Sequence, residues 1–74
     1  MKMYKLGVMP SGDLVDKVAE LNLWSTELVE VHPLDDGVGL VLHPFLPCQT
    51  SRYLQLNGRE IRRVFPNAEL VQFV

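Results

Sequence analysis

With 74 residues, 47% of them hydrophobic and 22% charged, the chain has the size and mix of one small α+β domain. Its single cysteine, Cys48, rules out an internal disulfide, and with it a disulfide-stapled secreted scaffold. The net charge of -2 conceals a segregation: residues 18–51 hold Glu20, Glu27, Glu30, Asp35 and Asp36 but no Lys or Arg, and Arg52, Arg59, Arg62 and Arg63 follow.

The first strand is expected over residues 4–9, where Tyr4, Leu6 and Val8 alternate with Lys5, Gly7 and Met9. Pro10 ends it, and Ser11 or Asp13 is placed to cap a helix over residues 11–22. Leu14, Val15, Val18 and Leu21 give that helix an apolar stripe, with Asp16, Lys17 and Glu20 opposite. A second strand is expected over residues 27–32, a turn at Pro33-Leu34-Asp35-Asp36-Gly37, and a returning strand over residues 38–43. His32 and His43 each precede a proline, where the strands are expected to end. In this hairpin His43 lies opposite residues near Glu30. Phe45 and Leu46, in the loop bounded by Pro44 and Pro47, are expected to fold back onto the core.

The C-terminal third supports two readings. Residues 52–56 look extended, and Asn57-Gly58 suits a type I′ hairpin turn that pairs Leu54 with Ile61. Alternatively Asn57 caps a short helix, with Glu60 completing a capping-box-like pair. The helix reading divides the segment more cleanly. Ile61, Val64 and Phe65 then form an apolar face, and Arg59, Arg62 and Arg63 a basic one. Pro66-Asn67 breaks the chain and residues 69–74 form a last strand. A small, mostly antiparallel sheet with one N-terminal helix and a second short helix follows. If residues 52–65 act as one crossover, the βαββαβ order resembles ferredoxin-like folds; a hairpin there gives a single-helix α+β domain instead.

Candidate chemistry is sparse. His32, His43 and Cys48 are the only soft metal ligands, and they lack the close pairing of a structural zinc site. No metal and no cofactor are expected. Cys48 has no evident base and orienting acid around it, so it reads as a loop thiol. Asp35-Asp36 reads as turn chemistry. Pro44-Phe45-Leu46-Pro47 fits a Pro-x-x-Pro pattern but is better explained as a loop held by two prolines. Trp24 reads as a core plug. The candidate binding residues are Arg52, Arg59, Arg62 and Arg63 with Tyr53 beside them, a set able to grip phosphates or acidic side chains.

Segregated charge on one small domain favours docking to a charged surface. The expected function is a non-enzymatic protein-binding module with a larger protein as partner. The alternative is a small single-stranded nucleic-acid-binding domain using Tyr53 or Phe73 for stacking. A sequence pI of about 5.5 opposes it, so nucleic acid is not expected as a partner of the chain alone. The longest apolar run, residues 38–42, is too short to cross a bilayer, and the N-terminus lacks a signal-peptide core. A cytoplasmic setting without membrane association is expected. In length, single-domain economy and the opening Met1-Lys2-Met3-Tyr4-Lys5-Leu6-Gly7, the chain resembles small phage-encoded proteins that bind bacterial RNA polymerase and block transcription initiation. That resemblance implies a polymerase subunit surface as the partner and interference with sigma-factor function as the effect.

Overall fold

The longest strands of the molecule flank the two-residue turn Asp35-Asp36. They are β2 (Thr26–Leu34) and β3 (Gly37–Pro44), paired antiparallel from Leu34 opposite Gly37 outward. The computed structural model describes residues 2–45 and 50–72, and adds β1 (Lys2–Lys5), α1 (Leu14–Ala19), α2 (Ser51–Val64) and β4 (Glu69–Gln72). One antiparallel sheet has the order β2-β3-β1-β4. The protein is thus an α+β fold of four strands and two helices. Along the chain the elements run β-α-β-β-α-β, as the crossover reading required.

Alternation along β3 and β1 builds the core. Tyr4, Leu6, Val38, Leu40 and Leu42 face the helices and meet Leu14, Tyr53, Ile61, Phe65 and Ala68. Burying a side chain such as Leu40, Ile61 or Phe65 stabilises the fold by roughly 1.5–3 kcal/mol. On the opposite face Met3 and Val41 are also buried, so β3 is apolar on both sides. A Cβ on Gly39 would run into the Met3 side chain, which lies across that glycine.

Several expectations are corrected. β1 begins earlier and is shorter than residues 4–9. The Leu6 N–H still donates to the Val38 carbonyl at 2.9 Å, but Gly7 then takes φ +72° and turns the chain. A side chain there would stand 2.8 Å from the Asn67 Cβ, so the turn needs glycine. α1 has six residues where residues 11–22 were expected. Asp13 stands at its N-terminus without a side-chain capping bond. Only Leu14 of the stripe is fully buried, Val18 and Leu21 pack partly against the core, and Val15 is 73% exposed. The helix has left its register by Leu21, whose N–H donates to the Val18 carbonyl at 3.1 Å, and the Asn22 N–H beyond it goes to the Glu60 carboxylate at 2.8 Å, a bond made across the fold.

Both histidine-proline pairs lie inside strands. β2 continues through Pro33, which an edge strand tolerates because half of its N–H groups point away from the sheet. Phe45 does not fold onto the core and is 65% exposed. Leu46, Pro47 and Cys48, and Phe73 in the last expected strand, lie outside the described residues.

The largest correction concerns residues 52–65. They are neither a hairpin nor an extended segment followed by a helix starting at Asn57. α2 is one helix of 14 residues, capped by Thr50, whose hydroxyl accepts the Tyr53 N–H at 3.1 Å. Asn57 and Gly58 are buried in its middle. Among the described residues no helix is long and apolar enough to cross a membrane.

Candidate functional site

The longer α2 changes which arginines stand together. At about 100° per residue, Arg52, Leu56, Arg59 and Arg63 fall within roughly 60° of one another around the helix. Arg62 lies roughly 60° beyond Arg59, on the side away from Arg63. Its guanidinium turns back over Gly58, where a Cβ would come within 3.2 Å of Nη2. Beneath is Tyr4, whose hydroxyl donates to the Leu54 carbonyl at 2.9 Å. Burial raises the Tyr4 pKa, and the nearby Arg62 charge partly offsets that rise. Arg62 therefore belongs to the β1 side of the helix. Tyr53 is only 2% exposed, so it offers no surface to a partner. Its hydroxyl shares a hydrogen bond with Thr26 Oγ1 at 2.9 Å.

The inner edge of α2 holds the segment between α1 and β2. Asn57 is fully buried, and its side-chain amide pairs with the Trp24 backbone as a peptide group would. Its Oδ1 accepts the Trp24 N–H at 2.6 Å, and its Nδ2 donates to the Trp24 carbonyl at 3.0 Å. Nδ2 also reaches Thr26 Oγ1 at 3.3 Å. One turn later Glu60 accepts the Asn22 N–H. Between these anchors Ser25 adopts φ 54°, a left-handed conformation unusual for serine, which the flanking bonds over-determine.

This clamping holds Trp24 out of the core. The indole is 48% exposed, and its ring centroid stands 6.2 Å from that of Tyr53 at a 52° tilt. The expectation of a core plug is corrected. Trp24 walls one side of an open groove of about 470 Å³, opposite Leu56, Arg59 and Arg63, with Asn57 and Glu60 beneath. Glu60 grips Arg63 through two bonds, from Nε at 3.0 Å and Nη2 at 2.9 Å. Those bonds and the Asn22 N–H lower the Glu60 pKa to about 2, and the same carboxylate raises that of Arg63. Arg63 is thus charge-compensated. Arg59, exposed on the same wall, makes no ion pair among the described residues.

The sequence reading missed Trp24, Leu56 and Glu60 as groove residues. The spacing of Tyr53, Asn57 and Glu60, four and then three residues apart, was the available signal for a polar inner edge. It becomes legible only when the helix is known to start before Arg52.

A second cluster lies on the open face of the sheet. Glu30 Oε2 stands 3.0 Å from His32 Nε2 and 3.4 Å from His43 Nε2, matching the expected proximity of His43 to Glu30. Contacts to both histidines lower the Glu30 pKa. Among the described residues no group of three acidic, His or Cys side chains is placed to hold a metal ion. At the hairpin turn, Lys5 pairs with Asp36 and lowers its pKa.

Compared with protein-family models, with curated proteins and with solved structures, the chain matches none.

Proposed function

We propose that this chain is a non-enzymatic protein-binding module that docks on a larger partner through the outer stripe of α2 and the Trp24 rim. The observation that carries the reading is the half-exposed indole, fixed by backbone pairing and sharing an open groove with Arg59, which makes no ion pair among the described residues. Tryptophan and arginine are the side chains most enriched among residues that dominate interface energies. Glu60, the one acid among the described residues lining the groove, has a pKa of about 2, which makes it a weak proton acceptor near neutral pH. The groove favours holding over proton transfer.

The first partner to test is a bacterial RNA polymerase subunit, on the likeness of the opening residues to phage-encoded polymerase inhibitors. Purified core enzyme and holoenzyme are titrated into the labelled full chain, alongside a variant with Arg52, Arg59 and Arg63 changed to Glu. Saturable binding that weakens with salt and disappears in the folded variant supports the reading. Equal binding of both proteins overturns the site, and no binding overturns the polymerase assignment.

The exposure of Trp24 beside Arg59 favours one second reading, single-stranded nucleic acid stacked on the indole. The Glu60 carboxylate beneath the groove and the net charge of -2 oppose it. Fluorescence anisotropy with a labelled oligothymidylate decides: salt-sensitive binding lost on Trp24→Ala restores this reading, and flat anisotropy removes it.

A further inference from the structure

We infer that the groove takes an acidic peptide segment carrying an apolar side chain, with the apolar group on Trp24 and Leu56 and a flanking carboxylate on Arg59. The inference rests on the protein-binding reading and names what that surface recognises.

The two arginines of the groove wall are not equivalent. Arg63 is held by Glu60 through two bonds at 2.9 and 3.0 Å, so its charge is already compensated within the wall. It serves as a fixed wall. Arg59, one turn of helix from Arg63 and beside Leu56, makes no ion pair among the described residues and can offer its fork of donors to a ligand. Arg52 continues the stripe two turns toward the N-terminus and gives a second positive position along the same line. Arg62, turned over Gly58 and Tyr4, stands outside it.

Charge complementarity selects the occupant. A bare anion such as phosphate would satisfy Arg59 but leave the indole and Leu56 wet, and it would approach the Glu60 carboxylate in the floor. A purely apolar segment would bury the indole but forgo Arg59. A segment with an aromatic or branched aliphatic side chain next to aspartate or glutamate satisfies both walls. The rigid floor favours this, because Asn57 fixes the Trp24 backbone and Glu60 fixes the Asn22 N–H before any ligand arrives.

The full chain has one tryptophan, so its fluorescence reports this groove directly. Three blocked peptides serve as probes at millimolar concentration: phenylalanine flanked by aspartates, phenylalanine flanked by lysines, and glycine flanked by aspartates. The first should give a saturable change in Trp24 emission and shift the amide resonances of Asn22, Leu56 and Arg59. The other two should bind roughly tenfold more weakly or worse. Arg59→Gln should weaken the first peptide by a similar factor, whereas Arg62→Gln should leave it unchanged, with circular dichroism confirming that both variants are folded. No saturable response to the first peptide, equal binding of the lysine peptide, or equal loss in the Arg62 and Arg59 variants each overturns the inference. A partner that binds the wild type but is indifferent to Arg59→Gln overturns the inference while leaving the protein-binding reading intact.

Discussion

Replacing Asn57 with alanine should release the 22–26 segment from α2. The side chain is fully buried and makes three hydrogen bonds, two of them to the Trp24 backbone. Each net hydrogen bond contributes about 0.5–1.5 kcal/mol, and a buried group left unpaired costs about 1–3 kcal/mol. The Trp24 side is half-exposed, so water replaces part of the lost pairing. The total is about 2–4 kcal/mol, including the packing lost with the amide. For a domain whose whole margin is on the order of 5 kcal/mol, that is a large fraction. The melting temperature should fall by roughly 10–30 °C. Asn57→Asp sharpens the test. The carboxylate keeps the acceptor for the Trp24 N–H but faces the Trp24 carbonyl with no donor. Burial and that carbonyl raise the folded-state pKa of the new acid above its unfolded value near 3.9. Its penalty should therefore grow as pH rises from about 4 toward the folded value, and shrink below it. Urea unfolding followed by circular dichroism and Trp24 emission measures both variants. A wild-type urea midpoint for Asn57→Ala, or no extra pH slope for Asn57→Asp, refutes the clamp.

Further substitutions test the rest of the frame. Gly58→Ala should stabilise by about 0.5–1 kcal/mol through helix propensity, because the tightest approach to its Cβ is the movable Arg62 guanidinium at 3.2 Å, with the Tyr4 ring at an ordinary 3.5 Å; a lower urea midpoint would contradict this. Gly7→Ala should instead destabilise by roughly 1–3 kcal/mol, since φ +72° and the Asn67 Cβ at 2.8 Å both resist it, and thermal melting reads the loss. Val18→Asp should cost only about 1–2 kcal/mol in urea unfolding, less than a fully buried site would, because Val18 is partly buried at the edge of the core. The lowered Glu60 pKa makes its contribution to stability fully present above the unfolded value near 4.3; it fades as pH falls from there through about 2. Acid titration of Glu60→Gln should accordingly show a shallower loss than wild type over that window.

Fold class and strand alternation follow from local residue patterns. Period-two spacing puts Leu40 and Leu42 on one face of a strand and Gly39, Val41 and His43 on the other, and that division places the core side chains in the structure. The Asp35-Asp36 turn and the break at residues 66–67 were legible because turn chemistry is local. The apolar face of Ile61, Val64 and Phe65 was legible for the same reason, since helical spacing is a property of a few neighbours. What the sequence left open was decided by contacts between distant segments. Asn57-Gly58 is a strong hairpin signal in isolation, yet it sits in mid-helix because the Asn57 amide finds the Trp24 backbone 33 residues away and Gly58 lies beside Tyr4. Beyond the end of α1 the Asn22 N–H goes to Glu60, 38 residues on. Trp24, apolar enough to be assigned to the core, is instead held at the surface by its own backbone. Local propensities differ by about 1 kcal/mol, and a few buried hydrogen bonds outweigh them, so the groove exists only once both segments meet.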